Sequence, residues 1–148
     1  MTMRVKADTY CFGCGPDNPV GLKLTGFRLV EGGGPGGSPG DRYEVDFTPL
    51  PEHQGWQEIV HGGIIATVVD EIMTRLLWEL GMEVVTAELT VRYRKPLTVG
   101  TPVRAIAWKE RDLGRYIEVA SSLRDDELEY ATAVGRFVRL DLRREETK

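Results

Sequence analysis

The sequence lacks any long apolar run, since no stretch approaches the ~18 continuous apolar residues that a membrane-spanning helix needs. Its first eight residues, Met-Thr-Met-Arg-Val-Lys-Ala-Asp, also lack the apolar segment of a secretory signal. We therefore expect no membrane partner and a cytoplasmic location.

The sequence also has no surplus of basic residues: 19 Lys and Arg stand against 23 Asp and Glu, and the formal net charge is -4. A dedicated nucleic-acid-binding protein usually carries a basic surplus or stripe, so no nucleic-acid partner is expected. The 148 residues, 41% hydrophobic and 28% charged, suit one domain over 1–148 with one core. Within it, residues 1–21 are read as an N-terminal extension and 141–148 as a frayed tail.

Cysteine and histidine are scarce, with Cys11, Cys14, His53 and His61 as the complete set. In a cytoplasmic protein the cysteines are reduced thiols, and two cysteines alone do not supply the four ligands of a structural zinc site. A zinc site built from all four residues and a redox module built on the cysteines are the alternatives. We expect no metal and no cofactor, an exposed loop position for His53, and packing of the cysteine segment on the sheet rather than closure of a site.

Glycine and proline concentrate at residues 32–40, Gly-Gly-Gly-Pro-Gly-Gly-Ser-Pro-Gly. Such a segment sustains neither a helix nor a strand. It separates two strand-like runs, Leu22–Glu31 and Asp41–Thr48, and is predicted to be a surface hairpin loop. A phosphate-binding loop would end in Gly-Lys-Ser/Thr, and that ending is missing.

One long helix is predicted over His61–Leu80. Apolar residues recur there at three- and four-residue spacing, which makes one apolar face; they are Ile65, Val68, Val69, Ile72, Leu76 and Leu80. Gly81 follows as a C-terminal cap.

After the helix the apolar period changes to two, with Ala87, Leu89, Val91 and Tyr93 alternating with polar residues. Three further strands are predicted at Val103–Glu110, Arg115–Leu123 and Glu129–Leu140, and short turns separate them. Consecutive strands joined by tight turns are antiparallel. The pattern predicts an α+β domain with one helix on one face of an antiparallel sheet.

Three residues lead into the predicted helix: His61, Gly62 and Gly63. Backbone N–H groups in the first helical turn have no partner inside the helix and carry partial positive charge, and glycine lets a ligand approach them closely. The turn either binds an anion or polarises a carbonyl, or it permits tight packing and nothing more. His61 is a candidate base and also a candidate cap.

Asp70 lies about two turns further along a helix rich in Ile, Val and Leu. A carboxylate there is a candidate nucleophile or general base for acyl transfer; the alternative is a solvent-facing acid beside Glu71. Thr74 lies four residues later on the same helix face. It is a candidate for holding substrate or water, or an ordinary polar helix residue.

The glycine opening with an acid nine residues after the histidine resembles hotdog-fold acyl-CoA thioesterases, in particular the PaaI-like group. The similarity continues through three segments: His53-Gln-Gly-Trp56, Cys11-Phe-Gly-Cys-Gly-Pro-Asp-Asn-Pro-Val-Gly-Leu22 and Thr86-Ala-Glu-Leu-Thr-Val-Arg-Tyr-Arg-Lys-Pro96. It implies a hotdog fold, in which a curved antiparallel sheet wraps a long central helix. It also implies a homodimer with a continuous sheet, and often a homotetramer.

The resemblance further implies hydrolysis of acyl-CoA thioesters at a site between two subunits. The Gly63 N–H of one subunit is expected to polarise the thioester carbonyl, and Asp70 comes from the partner subunit. Thr86 falls where related enzymes place a hydroxyl that assists water or substrate. Thr74 matches a threonine position in a related hydroxybenzoyl-CoA type.

One position departs from the family pattern. Many relatives carry Asn or Gln six residues before the histidine, where this chain has Gly55. Either Gln54 or Gln57 is expected to substitute and to contact the substrate. This departure motivates a rival function, a non-catalytic protein that binds acyl-CoA or another small molecule. A second rival is a hotdog dehydratase or hydratase with His61 as base.

The CoA tail is expected to meet basic residues that follow the helix, with Arg92 and Arg94 as the main candidates and Lys95 and Arg136 as others. The sequence does not define the acyl chain. The depth of its pocket is expected to depend on Trp56, Met73, Trp78 and Met82.

Overall fold

The computed structural model describes residues 5–31 and 41–140. Along the chain it has two strands, a one-turn 3-10 helix, one long helix and four further strands. Their bounds are β1 Arg28–Val30, β2 Arg42–Phe47, the 3-10 helix Pro51–His53, α1 Gly62–Glu79, β3 Val84–Tyr93, β4 Val103–Asp112, β5 Tyr116–Arg124 and β6 Glu129–Arg139. The predicted loop at residues 32–40 and the predicted frayed tail at 141–148 lie outside the described residues.

Helix α1 buries one face, as its apolar period requires. That face consists of Ile65, Val68, Val69, Ile72, Met73, Leu76 and Leu77. Gly81 terminates the helix as predicted, since it adopts a φ of 87° and its N–H donates to Trp78 O at 2.9 Å. The assignment of Leu80 to the apolar face is wrong. Leu80 is the C-cap and 40% exposed, because the chain leaves helical geometry there.

The six strands form one antiparallel sheet in the order β1-β2-β4-β5-β6-β3. The sheet is curved around α1, which confirms the predicted α+β hotdog architecture. The core lies between the helix and the concave face of the sheet, where Val45, Ala105, Val119 and Phe137 are buried against α1. No helix among the described residues combines the length and apolarity needed to cross a membrane.

Two hairpin turns connect β4, β5 and β6 as predicted. In the first, Asp112 Oδ1 accepts a hydrogen bond of 2.9 Å from the N–H of Gly114, which has a φ of 83°. In the second, Asp125 Oδ1 accepts hydrogen bonds of 2.8 Å from the N–H groups of Glu127 and Leu128. Aspartate suits such turns because its side chain bonds the backbone two or three residues on.

Strand β3 lies at the edge of the sheet and pairs with β6, not with the strand that follows it in sequence. Its register shifts between Thr86 and Glu88, so the strand contains a bulge. A bulge inserts one residue and reverses which side chains face the core. Thr86 therefore faces α1 together with Leu89 and Val91, although strict alternation would place Thr86 with Glu88 on the opposite face.

The first strand is much shorter than the predicted Leu22–Glu31. The Leu22 and Leu24 N–H groups donate to Phe12 O and Gly13 O, at 2.8 and 2.9 Å, so this stretch pairs with the N-terminal segment and not with the sheet. That segment contacts α1: the Cys11 Sγ lies 3.8 Å from each carboxylate oxygen of Glu71. The N-terminal segment therefore contacts helix α1, a contact that the sequence did not predict.

Candidate functional site

Asp70 is held at the boundary between core and solvent. Its helix neighbours Val68 and Val69 are fully buried, while Asp70 is half-buried. Thr86 Oγ1 donates a hydrogen bond of 2.7 Å to Asp70 Oδ1, from a strand that the bulge turns towards the helix. Asp70 is thus not the fully solvent-facing acid that the sequence left as an alternative.

Two opposing effects act on the ionisation of Asp70. Burial raises the pKa of its carboxyl group, because desolvation penalises the charged form, and the hydrogen bond from Thr86 lowers the pKa. The first effect is the larger. A carboxylate with a raised pKa is a better proton acceptor than a solvated one, which suits a general base.

The helix N-terminus is capped by His61. Its Nδ1 accepts a hydrogen bond of 2.8 Å from the Gly63 N–H. The N–H predicted to polarise a carbonyl therefore already donates to an exposed side chain. None of the described residues accepts a hydrogen bond from the Gly62 N–H, which makes Gly62 a second donor for a ligand at this terminus.

Tyr93 contacts the helix N-terminus, which was not predicted from the sequence. Its hydroxyl donates to Gly62 O at 2.8 Å and ties the end of β3 to the start of α1. A Cβ at Gly62 would lie 3.4 Å from the Tyr93 ring, which is an ordinary van der Waals distance. The signal in the sequence was the alternation that puts Tyr93 on the same face as Leu89 and Val91.

The loop before the helix explains the departure at Gly55. A Cβ there would lie 3.1 Å from His61 Cα and 3.3 Å from its Cδ2, so a side chain would crowd the cap. Gln54 Oε1 accepts a hydrogen bond of 2.7 Å from the N–H of Glu58, whose φ is 65°. Gln54 thus stabilises a tight turn within the chain. Gln57 is exposed on that turn.

His53 is buried and not exposed as expected. Its Nδ1 accepts a hydrogen bond of 2.9 Å from the Leu50 N–H, and its backbone O accepts one of 2.8 Å from the His61 N–H. Both histidines thus shape the loop. The group of candidate metal ligands among the described residues includes neither, so a zinc site that combines the histidines with the cysteines is wrong.

Gly63 and Asp70 are seven residues apart on one helix. At 1.5 Å per residue, their backbones are separated by about 10 Å along the axis. In a direct attack the donor and the attacking oxygen must each lie within about 3 Å of the carbonyl group, so this separation disfavours direct attack by Asp70 on a carbonyl held at Gly63 of the same chain.

Thr74 donates its hydroxyl to Asp70 O at 2.9 Å. It also lines a cavity of about 430 Å³ between the N-terminal segment and the second half of α1. The lining includes Tyr10, Cys11, Trp78 and Val84. Of the four residues named for pocket depth, Trp78 lines this cavity, Met73 is fully buried, Met82 packs on the core and Trp56 is 84% exposed.

Arg92 and Arg94 are not brought to Asp70 within the chain. Arg92 pairs with Thr132, whereas the alternate pair Val91 and Ala133 faces the core. Arg92 therefore lies on the outer face of β3, and Arg94 follows the C-terminal end of that strand. Arg94 Nε lies 3.6 Å from Glu129 Oε1.

The N-terminal segment creates a thiol cluster on α1. The ligand atoms of Cys11, Cys14 and Glu71 all lie within 4.8 Å of one another, and Arg75 donates a hydrogen bond of 3.6 Å to Cys14 Sγ. Burial, with the Glu71 carboxylate beside it, raises the pKa of Cys14 to about 12. A redox-active cysteine needs a lowered pKa, so the cluster does not suit the redox module.

Comparison with known proteins places these features in a family. A family model of the thioesterase superfamily matches residues 57–131. The acyl-coenzyme A thioesterase THEM4 of Xenopus laevis is 32% identical over 96 residues, which cover 64% of this chain and 43% of that protein. THEM4 of Rattus norvegicus is 30% identical over 90 residues, which cover 60% of this chain and 39% of that protein. The chain thus spans less than half the length of the curated relatives it matches.

Solved structures agree with the fold. A thioesterase superfamily protein superimposes with a TM-score of 0.71 at 24% identity, over 88% of this chain and 62% of that one. The BH2602 protein of Bacillus halodurans, crystallised with CoA, is 32% identical and superimposes with a TM-score of 0.60, over 66% of each chain. Because the family model spans more than half of the chain and the fold agrees, this protein belongs to the thioesterase superfamily.

Proposed function

We propose that this protein hydrolyses acyl-CoA thioesters to a free acid and CoA, in the cytoplasm. The observation that carries the proposal is the Asp70–Thr86 pair, a half-buried carboxylate held at 2.7 Å by a hydroxyl from the facing strand. Similarity to acyl-coenzyme A thioesterases and to a protein crystallised with CoA supports the substrate class.

Asp70 has two routes to hydrolysis. As a general base, it removes a proton from water while the water oxygen attacks the carbonyl carbon; the C–S bond breaks and CoA leaves as a thiolate that takes up the proton. As a nucleophile, its oxygen attacks the same carbon, CoA leaves, and water hydrolyses the resulting mixed anhydride. Hydroxylamine added during a single turnover modifies Asp70 only if the nucleophilic route operates. Peptide mass spectrometry detects that modification.

The complete site is proposed to form between two subunits. The helix N-terminus at Gly62 and Gly63 of one subunit stabilises the negative charge on the carbonyl oxygen, and the other subunit supplies Asp70. The separation of about 10 Å between these groups in one chain supports this arrangement. Strand β3 supports it too, since ten residues at a sheet edge offer unpaired backbone groups to a second copy.

The remaining predicted contacts keep their roles within this proposal. Thr74 and the cavity of about 430 Å³ hold the acyl group, Gln54 and Gln57 border the carbonyl, and Arg92 and Arg94 meet the CoA phosphates. Replacing both arginines with alanine is expected to raise KM for CoA substrates. If KM is unchanged, and equal to that of the control Arg104→Ala at an exposed arginine of β4, the phosphate assignment is removed.

The deciding experiment measures free-thiol release from a panel of acyl-CoA thioesters. Wild type is compared with Asp70→Asn and with the control Glu79→Gln, an exposed acid of the same helix. We expect Asp70→Asn to lose about 10²- to 10⁴-fold in kcat and Glu79→Gln to match wild type. Absence of hydrolysis by wild type with tight acyl-CoA binding would favour the binding-protein function, and turnover of enoyl-CoA would favour a hydratase.

A mixed dimer tests the shared site. Gly63→Pro removes an N–H of the first helical turn, and Asp70→Asn removes the carboxylate; circular dichroism checks that each variant keeps its fold. Each variant alone is expected to lose most of its activity. A dimer that combines the two contains one intact site, so mixed protein should recover up to half of the wild-type activity per dimer. No recovery in a verified mixed dimer would contradict a site built from two chains.

A further inference from the structure

The thiol cluster on α1 borders the cavity proposed to hold the acyl group, but it supplies none of the groups assigned to the hydrolysis step. Cys11 and Cys14 come from a turn closed by the Gly15 N–H, which donates to Cys11 O at 2.8 Å. Glu71 comes from the helix, sixty positions later than Cys11 in the sequence. The fold thus brings two thiols and one carboxylate to one point, and each offers a metal-ligand atom.

We propose that Cys11, Cys14 and Glu71 bind one thiophilic divalent cation, Zn²⁺ being the best match, with water as the fourth ligand. Cysteine sulfur and carboxylate oxygen are both common zinc ligands, and two thiolates select soft or borderline ions over Mg²⁺ or Ca²⁺. The spacing of two residues between the cysteines is the one that zinc-binding turns use.

The distances agree with tetrahedral coordination. With Zn–S bonds of about 2.3 Å and Zn–O bonds of about 2.0 Å, neighbouring ligand atoms are about 3.5 to 3.8 Å apart. The Cys11 Sγ lies 3.8 Å from both Oε1 and Oε2 of Glu71. All three ligand atoms fall within 4.8 Å of one another, so small rotamer adjustments close the site.

The charges also favour a divalent cation. Two thiolates and one carboxylate carry three negative charges, and a divalent ion together with the Arg75 guanidinium neutralises them. The Arg75 NH1 group already donates to Cys14 Sγ at 3.6 Å, as groups that support a metal-bound thiolate do. The Arg75 side chain is itself held over the Phe27 ring at 4.4 Å.

The packing around the cluster leaves room for the ligands and a route to solvent. A Cβ at Gly13 would lie 2.7 Å from the Glu71 carboxylate, so glycine admits that carboxylate into the turn. Cys11, Cys14 and Glu71 also line the cavity of about 430 Å³, which supplies space for a water ligand. A bound ion would tether the N-terminal segment to the helix that carries Asp70.

The test uses the full chain, reduced and freed of metal by a chelator that is then removed. Titration with Zn²⁺ against a chromophoric competitor is expected to give one ion per chain. Calorimetry in buffers of different ionisation enthalpy should detect two protons released, because both thiols must deprotonate. Co²⁺ in place of Zn²⁺ should give a thiolate-to-metal charge-transfer absorption. This absorption can be measured on the wild-type protein alone.

The variants are Cys11→Ser, Cys14→Ser and Glu71→Gln, with Glu79→Gln as the matched control on the same helix. Each cysteine variant is expected to weaken Zn²⁺ binding by more than about 100-fold and Glu71→Gln by at least about tenfold, with circular dichroism unchanged. The control should bind as wild type does. Failure of wild type to bind Zn²⁺, unweakened binding in the cysteine variants, or equal weakening by Glu79→Gln would overturn the proposal. Because metal content is read without substrate, none of these results depends on thioesterase activity.

Discussion

Thr86 Oγ1 donates a hydrogen bond of 2.7 Å to Asp70 Oδ1, which joins the bulge of β3 to the middle of α1. The bond favours the ionised carboxyl group and so opposes the effect of burial on the pKa of Asp70. The ionisation of the proposed catalytic group therefore depends in part on a residue of another element.

Thr86→Val should move the acidic limb of the activity profile to higher pH. Both proposed routes need Asp70 ionised, so activity falls as pH drops through its pKa. Removing the Thr86 hydroxyl removes the effect that lowers this pKa, and the limb shifts upward. The measurement is kcat/KM against pH for wild type, Thr86→Val and the hydroxyl-retaining Thr86→Ser. Superimposable profiles for all three would show that Thr86 does not tune Asp70.

Asp70→Asn should be more stable than wild type at neutral pH. The folded-state pKa of Asp70 is raised by burial, so its contribution to stability is complete below the unfolded pKa of about 3.9 and declines as pH rises through the folded value. The variant cannot ionise and avoids this decline. Its Tm advantage should therefore be present at pH 7 and vanish near pH 3.

Asp46→Asn is the control for that experiment, because its effect on Tm at neutral pH should have the opposite sign. A hydrogen bond from Arg104, with Arg28 nearby, lowers the pKa of Asp46, so its stabilisation is present above the unfolded pKa and is lost as pH falls. Asp46 is largely exposed, which keeps the effect small. Its asparagine variant should lose Tm at pH 7 and little in acid. If both variants changed Tm at pH 7 in the same direction, the result would contradict the assigned electrostatics.

His61→Ala should cost about 1 kcal/mol of unfolding free energy, because His61 caps the Gly63 N–H at 2.8 Å. His61→Asn should lose much less, since asparagine is a strong N-cap residue. Urea unfolding of the three proteins gives the comparison. If the alanine variant keeps its stability but loses hydrolysis as severely as Asp70→Asn, His61 acts in the chemistry and its role as a cap is secondary.

Gly135→Ala should destabilise the fold by about 1–3 kcal/mol. A Cβ there would lie 2.6 Å from Phe137 Cε2 and 3.2 Å from Met73 Cε, and both side chains are fully buried. The matched control is Val134→Thr, a β-branched exchange at a half-exposed neighbour, expected within about 0.5 kcal/mol of wild type. Comparable losses in the two variants would argue against crowding at Gly135.

Local patterns in the sequence were sufficient to predict the helix and the two hairpin turns. The buried face of α1 follows from apolar spacing, and its end follows from Gly81, because glycine readily adopts the positive φ of the cap. Asp112 and Asp125 marked two turns through hydrogen bonds that span two or three residues. These features depend on neighbours in the chain, so the sequence alone determined them.

Contacts between distant residues were decided by the tertiary structure. The bulge that turns Thr86 towards Asp70 breaks the alternation on which strand assignment rests. The backbone of Leu22 and Leu24 pairs with the N-terminal segment and shortens β1, and His53 is buried in a segment read as an exposed loop.

The proximity of Cys11 and Cys14 to Glu71 was likewise decided by the tertiary structure. The sequence offered His53 and His61 only as ligands of an alternative zinc site. Both histidines instead accept hydrogen bonds from backbone N–H groups, His53 from Leu50 and His61 from Gly63. The spacing of residues along the chain predicts only the geometry between residues that are close in sequence. Which helix face a remote segment covers depends on how the whole core packs, and that is why the third ligand became visible only in the folded chain.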